Sequence, residues 1–233
     1  MVQPITTVQV NRDRLGLIGL WHMNEGTATS VFDLVSNNHG TIIDLAWVSS
    51  KFSFGLFTSN FGAFADDRIT IANESNFDFV TNEPFSVSCW LKLDSYNTGR
   101  IISKGYDSGV ANWASDFGLT SPNAFSMGRY SAGWALATYL IDDSWVGKWI
   151  FFVGTYDDTG TFRIYINGVK GTDSASGIAL SQNDSPVTIG AWWEGTAYRY
   201  SFPGTVDEAA VYDRALLAAE IKHLYHRQPV LIF

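Results

Sequence analysis

The sequence predicts an all-β protein, an antiparallel β-sandwich that carries one short C-terminal helix. Two observations lead to this prediction. Short stretches of alternating apolar and polar residues recur along the chain between clusters of Gly, Asn, Asp and Ser, which is the pattern of many antiparallel strands. Aromatic residues reach 15% of the 233 residues, whereas charged residues reach only 16%. This balance is typical of two packed sheets and excludes a disordered chain.

The clearest strand lies at residues 84–94, PFSVSCWLKLD, where every second residue is apolar. Because side chains alternate along a strand, its predicted inner face consists of Phe85, Val87, Cys89, Leu91 and Leu93. A hairpin follows at residues 149–171, and its Asn167-Gly168 pair predicts a type I′ turn, which needs positive φ at both central residues. Further strands are predicted at residues 17–23, 39–43, 68–72, 100–104, 116–120, 125–130, 187–191 and 205–212.

One helix is predicted at residues 217–226, with an apolar stripe of Leu216, Ile221, Leu224 and Tyr225. No internal repeat or linker divides the chain. We therefore predict one domain over residues 15–228, with an N-terminal arm at residues 1–14 and a C-terminal tail at residues 229–233. The arm has three interpretations: an extra strand, a disordered leader, or an anchor on a partner.

The charge balance excludes some classes of partner. Fifteen Lys and Arg against 23 Asp and Glu give a net charge of −8 without a basic cluster, so nucleic-acid binding is not predicted. No apolar stretch is long enough to span a membrane. The N-terminus lacks the pattern of a signal peptide, so we expect synthesis in a cytoplasm and, for work outside a cell, another route such as a virus particle. The lone Cys89 is predicted to be a small buried hydrophobe.

Taken in order, the segments resemble the laminin-G-like jelly-roll domains of the concanavalin-A-like lectin and glucanase superfamily. The resemblance is carried by GLIGLWHMNEGTAT, DLVSNNHGTI, PFSVSCWLKLDS with RIISKG, KWIFFVGTYDDTGTFRIYINGVKG, SPVTIG and FPGTVDEAAVYDRALLAAEIKHLY. It covers about residues 16–226 and implies a jelly-roll sandwich. At Leu217 the family usually has a Ser that caps the helix, so only Glu220 remains of the capping box.

Relatives with this fold hydrolyse β-glucans, which requires two carboxylates about 5–5.5 Å apart in retaining enzymes. Acidic residues at positions i and i+4 of a strand meet that separation. The six glutamates are Glu25, Glu74, Glu83, Glu194, Glu208 and Glu220, and none has another glutamate four or five residues away. Asp207 and Glu208 are expected on opposite faces of a strand. The sequence therefore predicts no catalytic residues and a protein that is not an enzyme.

The resemblance also implies a structural Ca²⁺. In many relatives the Asp that corresponds to Asp207, on the last strand, helps to hold the ion together with carbonyls from the turn after the first strand. That turn corresponds here to Asn24, Glu25 and Gly26. Ca²⁺ binds six to eight oxygens, and several of these can be carbonyl oxygens, so one or two acidic side chains can suffice. The alternative is that Asp207 only accepts backbone hydrogen bonds. Asp33, Asn37 and Asn38 could add oxygens or form Asx turns.

Two sets of aromatic residues are candidates for sugar binding, because pyranose faces stack on exposed rings. One set is Trp192, Trp193, Tyr198 and Tyr200, in the loop between the last two predicted strands. The other is Trp113, Tyr130, Trp134 and Tyr139, with Arg129 and Asp116 as hydroxyl partners. Adjacent tryptophans cannot both face inward on a strand, so at least one of Trp192 and Trp193 is expected to be exposed or covered by a partner. The alternative is that these rings pack the sandwich, as expected for Trp21, Trp90 and Trp149.

These observations favour a non-catalytic recognition or adhesion module that binds glycan or a protein surface. One hypothesis is a glycan-binding module stabilised by Ca²⁺. A second is a virion surface protein, such as a phage capsid decoration or tail-associated component, that contacts neighbouring subunits or forms a homo-oligomer. A secreted or cell-surface carbohydrate-binding module of a larger polysaccharide-degrading system is an alternative, and a β-glucan hydrolase is the least favoured one.

Overall fold

The computed structural model describes residues 15–58, 66–107, 110–117, 123–130 and 134–226. The arm and the tail predicted at the termini lie outside these residues. The strands are β1 (Leu17–Trp21), β2 (Ser30–Val31), β3 (Gly40–Ile43), β4 (Leu45–Ser49), β5 (Phe54–Thr58), β6 (Arg68–Ile71), β7 (Phe85–Leu93), β8 (Gly99–Asp107), β9 (Val110–Phe117), β10 (Ala124–Tyr130), β11 (Trp134–Leu140), β12 (Trp149–Tyr156), β13 (Phe162–Ile166), β14 (Val169–Asp173), β15 (Val187–Ile189), β16 (Trp192–Trp193), β17 (Tyr198–Arg199) and β18 (Gly204–Tyr212). One α-helix, α1 (Ala218–His226), and 3-10 turns at Glu74–Phe77 and Asp143–Trp145 complete the described elements.

The strands form two large antiparallel sheets and one small hairpin. Sheet I has the order β14-β13-β12-β7-β18-β5-β4, with β1 also paired to β18. Sheet II has the order β11-β10-β9-β8-β15-β6-β3-β2, and β16 pairs only with β17. Sequential strands are repeatedly separated within a sheet, as in a jelly roll. At one side the sheets meet, where the Thr138 amide of β11 donates to the Thr172 hydroxyl of β14 at 2.8 Å. The predicted antiparallel sandwich is confirmed.

The main core lies between the sheets. The predicted inner face of β7 is confirmed, since its five apolar side chains, Phe85, Val87, Cys89, Leu91 and Leu93, are all fully buried. Strand β12 continues this face through its register with β7, in which Phe152 pairs with Cys89. Burial raises the pKa of the Cys89 thiol far above its ordinary value, so this cysteine packs as a hydrophobe. The Asn167-Gly168 turn has φ of 52° and 78°, as a type I′ turn requires.

A second apolar cluster lies on the outer face of sheet I under α1. It contains Trp90, Phe151 and Ile221, and the rings of Trp90 and Tyr225 stack with centroids 5.8 Å apart. Trp21 lies in the main core as expected, whereas Trp90 and Trp149 belong to this outer cluster, because they alternate with the inward residues of β7 and β12. The helix therefore stabilises the sandwich by covering one of its outer faces.

Several strands differ from their predicted positions. Strand β9 was predicted at residues 116–120. It begins six residues earlier, at Val110, and ends within the predicted range, at Phe117. Strands β4, β5 and β11 were not predicted, because their apolar residues alternate weakly and β5 contains Gly55. These segments form strands because they pair with strands that are distant in the sequence, and a local pattern does not reveal such pairing. No helix within the described residues is both long and apolar enough to cross a membrane.

Candidate functional site

The hairpin formed by residues 192–200, called here the aromatic hairpin, covers part of the outer face of sheet II. Thr188 alternates with the core residues Val187 and Ile189 of β15, so its hydroxyl points outward. That hydroxyl donates to the Ala191 carbonyl at 2.5 Å, and the Ser103 hydroxyl of β8 donates to the same oxygen at 3.2 Å. Gly105 permits the close approach, because a Cβ there would lie 2.8 Å from the Trp193 carbonyl oxygen.

Trp192 anchors the aromatic hairpin to the sheet. Its side chain is only 6% exposed, and the guanidinium carbon of Arg100 lies 4.1 Å from its ring centroid. The same guanidinium lies 5.7 Å from the ring of Tyr200, on the other side of the hairpin. Arg100 is fully buried, so these cation–π contacts are shielded from water, where such contacts are strongest.

Three rings of the hairpin remain partly open to solvent and are called here the aromatic surface: Trp193, Tyr198 and Tyr200. The rings of Trp193 and Tyr198 lie 4.8 Å apart at an angle of 55°. Arg68 of β6 stacks on Tyr198 with its guanidinium carbon 3.4 Å from the ring centroid. These contacts hold the rings in one arrangement, which lowers the entropy lost when a ligand binds.

Charged groups flank the aromatic surface. The guanidinium of Arg199 donates to the Glu194 carboxylate at 2.6 Å. Arg68 donates to the backbone oxygen of Asp66 at 2.8 Å and to the hydroxyl of Thr70 at 3.2 Å. The site thus combines apolar ring surface with carboxylate and guanidinium groups, a combination that suits a ligand with both apolar faces and hydroxyl groups.

The candidate cation site lies elsewhere, on β18. Asp207 is fully buried, and its Oδ2 accepts a hydrogen bond from the Ser50 hydroxyl at 2.5 Å. Its Oδ1 is buried without a hydrogen-bond partner. The pKa of Asp207 is raised to about 7: burial is the largest cause, the bond from Ser50 lowers the pKa, and the neighbouring Glu208 raises it. A carboxyl group in this state either holds a proton or has a cation beside it.

The turn at residues 24–26 approaches the same part of the sandwich. Glu25 Oε1 accepts a hydrogen bond from the Phe32 amide at 2.8 Å, while Oε2 is buried without a partner. Asn24 is exposed. Gly26 packs on the ring of Phe54, whose carbonyl accepts a bond from Ser50 at 2.8 Å. Asp207 and the turn therefore both contact the loop and strand around Ser50.

A family model for laminin-G-like domains, described as the concanavalin A-like lectin/glucanases superfamily, matches residues 61–222. The chain belongs to this superfamily. A segment of the adhesion G-protein coupled receptor V1 of Danio rerio is 24% identical over 156 residues, which covers 62% of this chain and 2% of the receptor.

Solved structures share the fold at low identity. The binding domain of Paraclostridial Mosquitocidal Protein 1 has a TM-score of 0.69 at 14% identity and covers 90% of this chain and 52% of that chain. Botulinum neurotoxin type C has a TM-score of 0.66 at 16% identity, with 93% and 52% covered. Trypanosoma rangeli sialidase in complex with sialic acid has a TM-score of 0.65 at 14% identity, with 97% and 35% covered. This laminin-G-like chain thus spans about half or less of those proteins.

The second predicted aromatic set does not join the aromatic surface. Trp113 is fully buried among Phe79 and Phe85, and its indole N–H donates to the Phe77 carbonyl at 3.3 Å. The prediction that Trp113 contacts a ligand is therefore corrected: its ring packs the core, because β9 turns it inward.

The other members of that set are also separate from the aromatic surface. Arg129 shares the inward face of β10 with Phe125 and Met127, and desolvation lowers its pKa while Tyr156 nearby raises it. Tyr139 packs against the core from β11. The side chains of Trp134, Tyr130 and Asp116 lie outside the described part of the structure.

The loop after β2 uses its polar side chains for structure. The carboxylate of Asp33 accepts backbone hydrogen bonds from Leu20 and Val35 at 3.0 Å and from Asn38 at 3.2 Å. The side chain of Asn38 is buried and bonds the Ile18 carbonyl and the Asn76 amide. Asp33 therefore forms the Asx-type turn of the alternative interpretation through the bond from Val35, whereas Asn38 bonds segments that are distant in sequence. The side-chain oxygens of both residues already accept hydrogen bonds. Within the described residues, no group of three or more His, Cys, Asp or Glu is placed to hold a metal.

The adjacent acids of this laminin-G-like domain do not form an open pair. Strand β18 has a β-bulge between Asp207 and Ala210, and Glu208 has a φ of 52°. The regular alternation expected of these two residues is thus interrupted, and Glu208 turns to His22, whose Nδ1 lies 2.5 Å from its Oε2. Asp207 is sealed under Ser50. His22, Ser50, Arg68 and Arg100 were not singled out in the sequence, because only strand pairing brings them to these sites.

Proposed function

We propose that this laminin-G-like domain is a non-catalytic recognition module that binds glycan on the aromatic surface. The observation that carries the proposal is the fixed, partly exposed arrangement of Trp193, Tyr198 and Tyr200. Sugar rings present apolar C–H faces that pack on such rings, and their hydroxyls bond flanking charged groups. Cell entry of botulinum neurotoxin type C depends on interaction with two ganglioside molecules, and the sialidase binds sialic acid in its solved complex; both ligands are built from sugars, which supports a glycan as ligand.

A binding role rather than hydrolysis is supported by the state of the acids. Asp207 is fully buried and Glu208 is engaged by His22, so neither carboxyl is available to protonate a glycosidic oxygen or attack a sugar carbon. Glu194, beside the aromatic surface, is paired with Arg199. The geometry therefore favours holding a sugar over cleaving it.

Glycan-array binding of the wild-type domain and of Trp193→Ala tests the proposal. We expect Trp193→Ala to weaken glycan binding by about tenfold or more, because removing a central aromatic contact costs about 1.4 kcal/mol or more of binding free energy. Phe32→Ala is the matched control, since this aromatic residue is 50% exposed but lies on another loop. Equal binding by Trp193→Ala, or no glycan bound by the wild type, would refute the proposal.

A contact with protein subunits is the second candidate, and a specific observation favours it. Phe32, Leu34 and Val35 are 50%, 56% and 42% exposed, while Asp33 between them pins the loop backbone. Exposed apolar side chains on a rigid loop suit a protein interface. The partner would be a second copy of this chain in a homo-oligomer, or neighbouring subunits on a virion that carries the protein as a capsid decoration or tail-associated component. Sedimentation of the wild type and of Leu34→Ser across a concentration series tests self-association through this loop. If both remain monomeric at every concentration, the homo-oligomer is refuted.

A structural Ca²⁺ is also proposed, held by Asp207 Oδ1 and Glu25 Oε2 together with backbone carbonyls of the turn at residues 24–26. Two buried carboxylate oxygens without hydrogen-bond partners support it. When bound, the ion neutralises buried negative charge and stabilises the loops that supply its ligands. Isothermal titration with CaCl₂ tests this proposal, with heat of binding expected for the wild type and absent in Asp207→Asn.

A further inference from the structure

We propose that the aromatic hairpin selects neutral glycans and discriminates against sialylated or sulfated ones. This inference rests on the proposed function, because it assigns a ligand class to the same surface. It follows from which charges at the hairpin reach solvent. An arginine that is free and exposed would attract an anionic sugar, whereas an exposed carboxylate accepts hydroxyl hydrogens and repels an anion.

In the first ion pair at the hairpin, between Arg199 and Glu194, the acidic side chain has the larger exposed fraction. Arg199 donates through Nε to Glu194 at 2.6 Å, and the side chain of Arg199 is 28% exposed against 39% for Glu194. The two residues flank Trp193 and Tyr198 in the sequence and on the hairpin. Relative to its size, the side chain of the acid is thus the more exposed member of this pair beside two of the rings.

The second arginine is covered more completely. Arg68 has its guanidinium on the ring of Tyr198 at 3.4 Å, bonds the Thr70 hydroxyl and the Asp66 carbonyl, and lies 3.5 Å from the Asp66 carboxylate. Its side chain is 12% exposed, whereas that of Asp66 is 52% exposed. Solvent therefore meets the carboxylate of this pair far more than the guanidinium.

The third arginine does not reach the surface. Arg100 is fully buried beneath Trp192, where its charge fixes the rings and is not presented to a ligand. The more exposed member of each ion pair beside the aromatic surface is consequently the acid, Glu194 or Asp66, while Arg199, the more exposed arginine there, is held by Glu194. The chain as a whole has a net charge of −8. A neutral sugar can donate its hydroxyls to the carboxylate oxygens of Glu194 and Asp66, and an anionic sugar is repelled by them.

A glycan array in which each neutral oligosaccharide is printed beside its sialylated and its sulfated form tests the inference. We expect the acidic forms of every bound scaffold to bind about tenfold more weakly or worse, and the difference to shrink when NaCl is raised, because exposed charges are screened. Glu194→Gln is expected to reduce the discrimination, whereas Asp158→Asn, which removes an exposed carboxylate from a distant turn, leaves it unchanged.

The outcomes separate this inference from the proposed function. Acidic forms that bind as tightly as the neutral forms, or more tightly, overturn the neutral-glycan selectivity and leave glycan recognition intact. Discrimination that is unaffected by Glu194→Gln overturns the assignment to this hairpin. Absence of binding to all printed glycans overturns both the selectivity and the proposed function.

Discussion

Asp207→Asn is expected to make the metal-free domain more stable at pH 8 and to change its stability little near pH 4. Asp207 is fully buried and accepts a hydrogen bond from the Ser50 hydroxyl. Asparagine has nearly the same shape and can still accept that bond. It lacks the ionisation, so the substitution isolates the free energy of charging this carboxyl group inside the fold.

The magnitude follows from the pKa. Burial raises it from its ordinary value of 3.8 to about 7 in the folded domain. Between these pH values the folded protein holds a proton that the unfolded chain has released, so the free energy of unfolding decreases as the pH rises through this window. At about 1.4 kcal/mol for each pH unit, ionised Asp207 destabilises the fold by at most about 4 kcal/mol above pH 7. Near pH 4 this group is only about half ionised in the unfolded chain, so the difference falls below about 1 kcal/mol, and it disappears well below pH 3.8.

Urea unfolding followed by tryptophan fluorescence, at pH 4 and pH 8 with EDTA, measures this difference. Asp158→Asn is the control, because that carboxylate lies in an exposed turn and its loss should give equal shifts at both pH values. Repeating the pH 8 series with CaCl₂ adds a second readout, in which a bound cation stabilises the wild type but not Asp207→Asn. If Asp207→Asn destabilises the metal-free domain equally at both pH values, the electrostatic reasoning is wrong.

Three further predictions concern stability. Trp113→Ala should lower the free energy of unfolding by about 3–5 kcal/mol, because it leaves a cavity in the main core; a loss below 1 kcal/mol in urea unfolding would contradict its buried placement. Leu217→Ser should raise it by about 0.5–1 kcal/mol, since Glu220 already accepts from the Leu217 amide at 2.8 Å and a serine would complete the capping box; Leu217→Ala, which also removes an exposed leucine, is the control. Lys104→Met should lower the free energy of unfolding by about 3–5 kcal/mol, because the buried ammonium pairs with Glu74 and with Asp78 at 2.9 Å. An unchanged melting temperature would show that Glu74 and Asp78 do not need the Lys104 charge for stability.

Some sites were predictable because their signals are local. The strict alternation of β7 and the Asn167-Gly168 turn depend on neighbouring residues alone, and both are confirmed. The pair Trp192-Trp193 also predicts, from adjacency, that the two rings take different environments; Trp192 is buried and Trp193 is half-buried. Trp113 shows the limit of this reasoning, since an aromatic residue in a weakly patterned strand carries no local sign of which face it joins.

The amino-acid sequence by itself determined the class of the fold, the inner face of its central strand and the candidate aromatic and acidic residues, because periodicity and turn chemistry act over a few residues. Only the tertiary structure decided how these residues combine. Arg68 and Arg100 reach the aromatic hairpin, and Ser50 reaches Asp207, through strand pairing and packing between distant segments. Which charge is buried and which is exposed depends on that packing, and burial sets both the ligand chemistry of the hairpin and the pKa of Asp207.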